Sequence, residues 1–166
     1  MIKDKTNEID NANYEQTSIN TKSLDKMFYD VEEYCDKFNN LLKEFEIEFE
    51  QISIFNRSKA KKDFEQEIGL SISELEKATL EINQIWKDIK RYIAIKNFDS
   101  LDKALRTFTY NDLQFRRCLL SFEKYDLLSR KYIKDKDKIV KLTDDIRKVT
   151  KELDKYLTHI FSILEL

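Results

Sequence analysis

Residues 24–52 read LDKMFYDVEEYCDKFNNLLKEFEIEFEQI, and the spacing of their apolar side chains decides the fold class. Nine apolar residues recur three or four positions apart without interruption: Leu24, Phe28, Val31, Cys35, Phe38, Leu42, Phe45, Phe49 and Ile52. This period is that of one face of an α-helix. A second row, Met27, Tyr34, Leu41 and Phe55, widens the apolar face. A wide face suits a helix with two or more neighbours in a bundle.

Two further segments have the same period. One spans residues 72–96, with the stripe Ile72, Leu75, Thr79, Ile82, Trp86, Ile89 and Ile93, and the other spans residues 139–163, with Ile139, Leu142, Ile146, Val149, Leu153, Tyr156, Ile160 and Ile163. Between them lies a less regular apolar row: Phe115, Cys118, Leu119, Phe122, Tyr125, Leu128 and Tyr132. Four long helical units with short polar connections predict an all-α, elongated, antiparallel four-helix-bundle-like domain with coiled-coil-like stripes and short extra helical segments.

Capping and turn residues predict where the helices of the first half of the chain begin and end. Residues 1–20 are polar and aperiodic, so we expect a mobile tail, followed by one helical-bundle domain over residues 21–166 that begins near an N-cap at Ser23. A soft break at residues 56–58 precedes a short helix, which Gly69 ends at the position where a left-handed backbone is favoured. Ser71 and Glu74 have the spacing of a capping box.

Three signals concern the second half of the chain. Asp99 or Ser100 is expected to cap a helix, and the capping pattern over residues 109–112 suggests that this helix restarts there. The charged run over residues 134–138 has no apolar period and is predicted to form a hairpin between helices.

Composition excludes several classes of protein. The 166 residues include one glycine and no proline. P-loops, Rossmann folds and most β-architectures need glycine for positive φ or for close approach of a ligand, so they are excluded. The net charge is −2 and the pI is about 5.6, unlike a general nucleic-acid binder. The charge is uneven, because residues 1–55 hold six lysines and thirteen acidic residues, a net −7.

Catalytic and metal-binding patterns are missing from the sequence. A di-iron bundle needs Glu-x-x-His on two helices, whereas this chain has one histidine, His159. Cys35 and Cys118 match no zinc or redox spacing; we expect buried thiols, while a disulfide between them stays open. We therefore predict no cofactor, no metal and no enzymatic activity. The absence of a signal-peptide core and of an apolar run of about 18 residues leads us to expect a cytoplasmic protein without a membrane span.

Surplus apolar and basic residues suggest the function. Leu157, Phe161 and Leu164 form a second apolar row near the C-terminus, which either packs within the bundle or binds a partner. The first hypothesis is a non-enzymatic interaction module (adaptor, chaperone, inhibitor or immunity-type protein) that binds a protein through helix faces. The alternative is an accessory nucleic-acid-binding subunit that uses Lys59, Lys61, Lys62, Arg116 and Arg117. Self-association through long helices is a third hypothesis, and the sequence identifies neither the partner nor the oligomeric state.

Overall fold

The computed structural model describes the backbone of residues 5–125 and 135–163, with side chains from residue 25 onward except those at 110, 112, 160, 161 and 163. These residues form five helices and no strand: α1 (Lys5–Glu50), α2 (Ile54–Ile68), α3 (Ile72–Ala94), α4 (Phe98–Ser121) and α5 (Lys136–Ile163). The all-α, bundle-like prediction is therefore confirmed.

Four of the helices form the predicted up-down-up-down bundle, and specific contacts fix their order. α1 lies antiparallel to α3, since Glu32 pairs with Lys87 and Asp25 pairs with Lys90. α3 lies antiparallel to α4, since only residues 95–97 join them while the ring centroids of Trp86 and Phe108, about two to three turns from that connection, are 4.6 Å apart. The remaining two neighbouring pairs are α4 with α5 and α5 with α1. Each long helix thus has two neighbours, as the wide apolar faces require.

The α1–α5 pair closes the bundle. Near the middle of α1, the Tyr34 ring lies 5.3 Å from that of Tyr156. Near the end of α1, Lys138 pairs with Glu48, whose side chain is almost fully buried. The later residue of α1, Glu48, contacts the earlier residue of α5, Lys138, so α1 and α5 are antiparallel.

The short helix α2 fills one end of the bundle between α1 and α4, which lie diagonally opposite each other. Its Phe64 is 1% exposed, with its ring 5.8 Å from that of Phe49 and 5.9 Å from that of Phe122. The rings of Phe45 and Tyr125 complete the surroundings, at 6.3 and 5.2 Å. These edge-to-face and tilted geometries are those that aromatic pairs prefer. α2 is therefore part of the core and not a surface excursion.

The predicted signals around α2 and α3 are confirmed. Gly69 ends α2 with a φ of 102° in the left-handed region. The Ser71 hydroxyl accepts a hydrogen bond from the Glu74 backbone at 3.2 Å, and the Ser71 backbone donates to the Glu74 carboxylate at 2.8 Å. The capping box thus starts α3 at the predicted residue, and α3 ends two residues before the predicted residue 96.

Helix α1 differs from its prediction at both ends. It begins at Lys5, so Ser23 lies inside a helix and is not its N-cap, and most of the segment predicted as a tail is helical. The reason is that residues 5–22 contain no proline or glycine, and an established helix extends at one hydrogen bond per residue. The break after α1 lies at residues 51–53 and not at residues 56–58, because Arg57 donates to the carbonyls of Glu50 and Ile52 and closes the helix end.

Helices α4 and α5 also correct three boundary predictions. The N-cap of α4 is Asn97, whose side chain accepts from the Ser100 backbone, and not Asp99 or Ser100. The helix continues through residues 109–112 without a restart, because the Thr109 hydroxyl donates to a carbonyl within the helix and leaves the backbone ladder intact. In the predicted hairpin, residues 136–138 already belong to α5, since the Asp135 carboxylate accepts from the Lys138 backbone; residue 134 lies outside the described residues.

Candidate partner-binding surface

Three of the five residues in the nucleic-acid hypothesis lie on α2. The side chains of Lys59, Lys61 and Lys62 are exposed. Lys61 is held 2.6 Å from Glu50, which also pairs with Arg57 at 2.9 Å. The hydrogen bond from Lys61, followed by the charge of Arg57, lowers the pKa of the Glu50 carboxyl. One of the three lysines is thus engaged in joining α2 to the end of α1.

Arg116 and Arg117 lie on α4 and have different surroundings. The Arg116 guanidinium donates to Asp154 at 2.8 Å and also to the Thr158 hydroxyl, so it joins α4 to α5. Arg117 is exposed, and among the described residues it forms no ion pair. Of these two adjacent arginines, Arg116 therefore joins two helices and Arg117 faces solvent.

Of the apolar row predicted near the C-terminus, the side chain of Leu157 is among the described residues. Its side chain is fully buried in the core, so at this residue the row packs within the bundle and offers no surface to a partner. The physical reason is that α5 lies between two neighbours, α1 and α4, and needs an apolar face wide enough for both. The side chains of Phe161 and Leu164 lie outside the described residues.

An exposed row of alternating cationic and leucine side chains runs along α4. It consists of Arg106, Leu113, Arg117, Leu120 and Lys124, and we call it the α4 stripe. The spacings of seven, four and three residues place the first four on one side of α4, and Lys124 lies in the turn that follows the helix end at Ser121. Leu113 is 60% exposed and Leu120 is 53% exposed. The α4 stripe contains no acidic residue, although Asp102 pairs with Arg106 at 2.9 Å.

Two surface depressions lie along the α4 stripe. The first, of about 650 Å³, is lined by Leu113 together with Arg106, Thr109, Gln114 and Arg117. The second, of about 410 Å³, is lined by Leu120 and lies between α4 and α5. Each exposed leucine thus stands at the edge of a depression; the first is shallow and lined by α4 alone, whereas the second is a groove between two helices.

Other exposed apolar side chains occur at the two ends of the bundle. Ile54 and Phe55 project at the start of α2, and Ile54 borders a third depression of about 560 Å³. Ile95 and Phe98 project from the turn between α3 and α4. Each of these groups occupies a single corner, whereas the α4 stripe extends over four helical turns.

The described residues offer little to nucleophilic or metal chemistry. Burial raises the pKa of the Cys35 thiol to about 12, and burial also raises the pKa of the Cys118 thiol. A thiol must be deprotonated to act as a nucleophile or ligand, so both favour the inert form. The two cysteines are unpaired, and His159 is exposed. No cluster of three metal-ligating side chains occurs within the described ranges.

Comparisons with known proteins give no further assignment. No protein-family profile matches the chain, and no curated protein or solved structure is significantly similar to it. Of the helices in the described part of the chain, none is both long enough and apolar enough to cross a membrane.

Proposed function

We propose that this protein is a non-enzymatic helical protein-interaction module that binds a protein partner through the α4 stripe. One observation carries the proposal: Leu113 and Leu120 are both more than half exposed and lie seven residues apart on one side of α4. Single exposed leucines are ordinary on protein surfaces. Two leucines in heptad register, each beside a depression, have the spacing with which a helix engages an apolar partner.

The unreactive thiols support the non-enzymatic part of the proposal. The other described groups with shifted pKa values include Glu50, Glu74 and Lys138, which are engaged in ion pairs or helix caps. Unpaired thiols are also the state that a reducing compartment maintains, so we propose a cytoplasmic location.

The α4 stripe favours a protein partner over a nucleic acid. A phosphate backbone would engage its cations but would leave both leucines in water, since nucleic-acid recognition uses hydrogen bonds and stacking on aromatic or guanidinium planes. Lys61 and Arg116, from the nucleic-acid hypothesis, are already engaged with Glu50 and Asp154. The remaining cations are divided between α2 and α4.

Affinity capture with matched variants tests this function. Immobilised protein is incubated with lysate of the source cells, with and without nuclease, and the wild type is compared with the double variant Leu113→Ser/Leu120→Ser. The control is Leu80→Ser, because Leu80 is 61% exposed on α3, away from the α4 stripe. We expect proteins that the wild type and the control capture and the double variant loses. Identical capture by all three proteins, or binding that depends on nucleic acid, would contradict the proposal.

A further inference from the structure

The α4 stripe also carries information about the chemistry of its partner. We infer that its ligand is an acidic amphipathic helix of another protein, which places apolar residues on Leu113 and Leu120 and carboxylates on Arg117 and the neighbouring cations. This inference rests on the proposed function and names the class of partner. The following contacts support it.

The positive charge of the α4 stripe favours a partner that carries negative charge. Its three cations, Arg106, Arg117 and Lys124, are separated by leucines and not by acidic residues. Both side chains of the ion pair between Arg106 and Asp102 are largely exposed to solvent, so this pair is weak. Arg106 is therefore able to attract a second carboxylate. Across the second depression, Asp154 is engaged by Arg116, while Lys151 is exposed and adds positive charge from α5. Complementary charges across an interface increase the association rate and exclude partners of the wrong sign.

The acidic groups near the α4 stripe do not reverse this conclusion. Glu123 is exposed beside Lys124, and Glu152 lines the same depression as Lys155, with their charged atoms 3.9 Å apart. Glu152 is thus paired with Lys155, whereas Glu123 offsets part of the charge of Lys124. Arg117, at the centre of the α4 stripe, has no such counter-charge among the described residues, so it is the cation that a partner carboxylate would reach first.

The shape of the α4 stripe selects a helix. From Arg106 to Leu120 it follows a straight helix face of about 21 Å, at 1.5 Å per residue. A partner helix of about 15 residues has the same length, and its own rows of side chains can interdigitate with leucines spaced by seven. The depressions beside Leu113 and Leu120 would receive the side chains on either side of that row.

A pair of designed peptides tests the inference directly. The probe is an 18-residue helix-stapled peptide with leucines at positions i, i+3 and i+7 and flanking glutamates. Its control carries lysine in place of every glutamate. We expect the glutamate peptide to bind the full-length protein with a micromolar dissociation constant in fluorescence anisotropy, and the lysine peptide not to bind. Added salt should weaken the binding, because exposed charges are screened.

Variants locate the site. Leu113→Ser and Arg117→Glu should each weaken binding of the glutamate peptide by about thirtyfold, the change expected when one interface hot spot is lost. Leu80→Ser should leave it unchanged, and circular dichroism verifies that all three variants remain folded. Equal binding of both peptides, binding of neither, or the same loss in Leu80→Ser would overturn the inference. Tighter Arg117-dependent binding of an 18-nucleotide single strand than of the glutamate peptide would also overturn it.

Failure of this inference differs from failure of the proposed function. If lysate capture depends on Leu113 and Leu120 while the glutamate peptide does not bind, the α4 stripe binds a protein of other chemistry. If capture is also independent of these leucines, the proposed function itself is wrong.

Discussion

Replacing Phe64 by alanine should strongly destabilise the protein, because this ring holds α2 between the ends of α1 and α4. Phe64 is 1% exposed. Its centroid lies 5.2–6.3 Å from the centroids of four other rings, those of Phe45, Phe49, Phe122 and Tyr125. These rings belong to α1 and to the segment after α4, so the cavity left by the substitution cannot close by moving one side chain.

The expected loss follows from this environment. Truncating a buried phenylalanine to alanine costs about 3–5 kcal/mol, the higher values applying where the surroundings do not collapse. We expect about 4 kcal/mol here, which with a urea dependence of about 2 kcal/mol per molar lowers the unfolding midpoint by about 2 M. Urea titration followed by circular dichroism and by the fluorescence of Trp86 measures the midpoint.

The matched control is the same substitution nine positions earlier in the chain. Phe55 also lies on α2 but is 95% exposed, so Phe55→Ala should change the free energy of unfolding by no more than about 0.5 kcal/mol. If the two variants lose equal stability, or if Phe64→Ala unfolds at the wild-type midpoint, α2 does not fill the end of the bundle and the reasoning is refuted.

Three further predictions concern the start of α3 and the thiols. Ser71→Ala should cost about 1 kcal/mol in urea unfolding at pH 7, because one side of the capping box is lost. Since hydrogen bonds from Ser71 lower the folded-state pKa of Glu74, the contribution of this carboxylate is present above its unfolded pKa and is lost as the pH falls through its folded pKa. Glu74→Gln should therefore be less stable than the wild type at pH 7, and this deficit should be smaller at about pH 3; equal deficits at both pH values would contradict this. Cys35 and Cys118 are buried thiols with raised pKa values, so a thiol-specific reagent should label neither in the folded protein at pH 8 and both in urea; rapid labelling without urea would show that this burial is wrong.

The sequence predicted the helices best where two independent signals coincide. For α3, a capping box and an uninterrupted apolar stripe agree, and the start at Ile72 is correct. Gly69 ends α2 as predicted, because only a residue without a side chain adopts its φ of 102° at low cost. The errors at Ser23 and at residues 109–112 come from polar residues that are compatible with a cap but equally with a helix interior. Capping propensity is a local preference; at Ser23 propagation of the helix overrides it, and at Thr109 the hydroxyl bonds within the helix and leaves the backbone ladder intact.

The α4 stripe was missed because exposure depends on which neighbour covers each helix face. The apolar period of α4 correctly assigned Phe115, Cys118 and Leu119 to the core. Leu113 and Leu120 lie off that row, and periodicity alone does not show whether another helix covers them. Leu157 had the same ambiguity, and there a neighbouring helix does cover it. The seven-residue spacing of Arg106, Leu113 and Leu120 was the available signal.

The pairing of α1 with α5 has a consequence for synthesis of the chain. Tyr34 and Tyr156 meet although most of the polypeptide separates them, so this contact must await the C-terminal helix. The hairpin of α3 and α4 closes over a short loop and is expected to form early, since local contacts cost less chain entropy. Until α5 emerges from the ribosome, the side of α1 that it covers stays open to water. During that interval the nascent chain is most exposed to aggregation and to capture by chaperones.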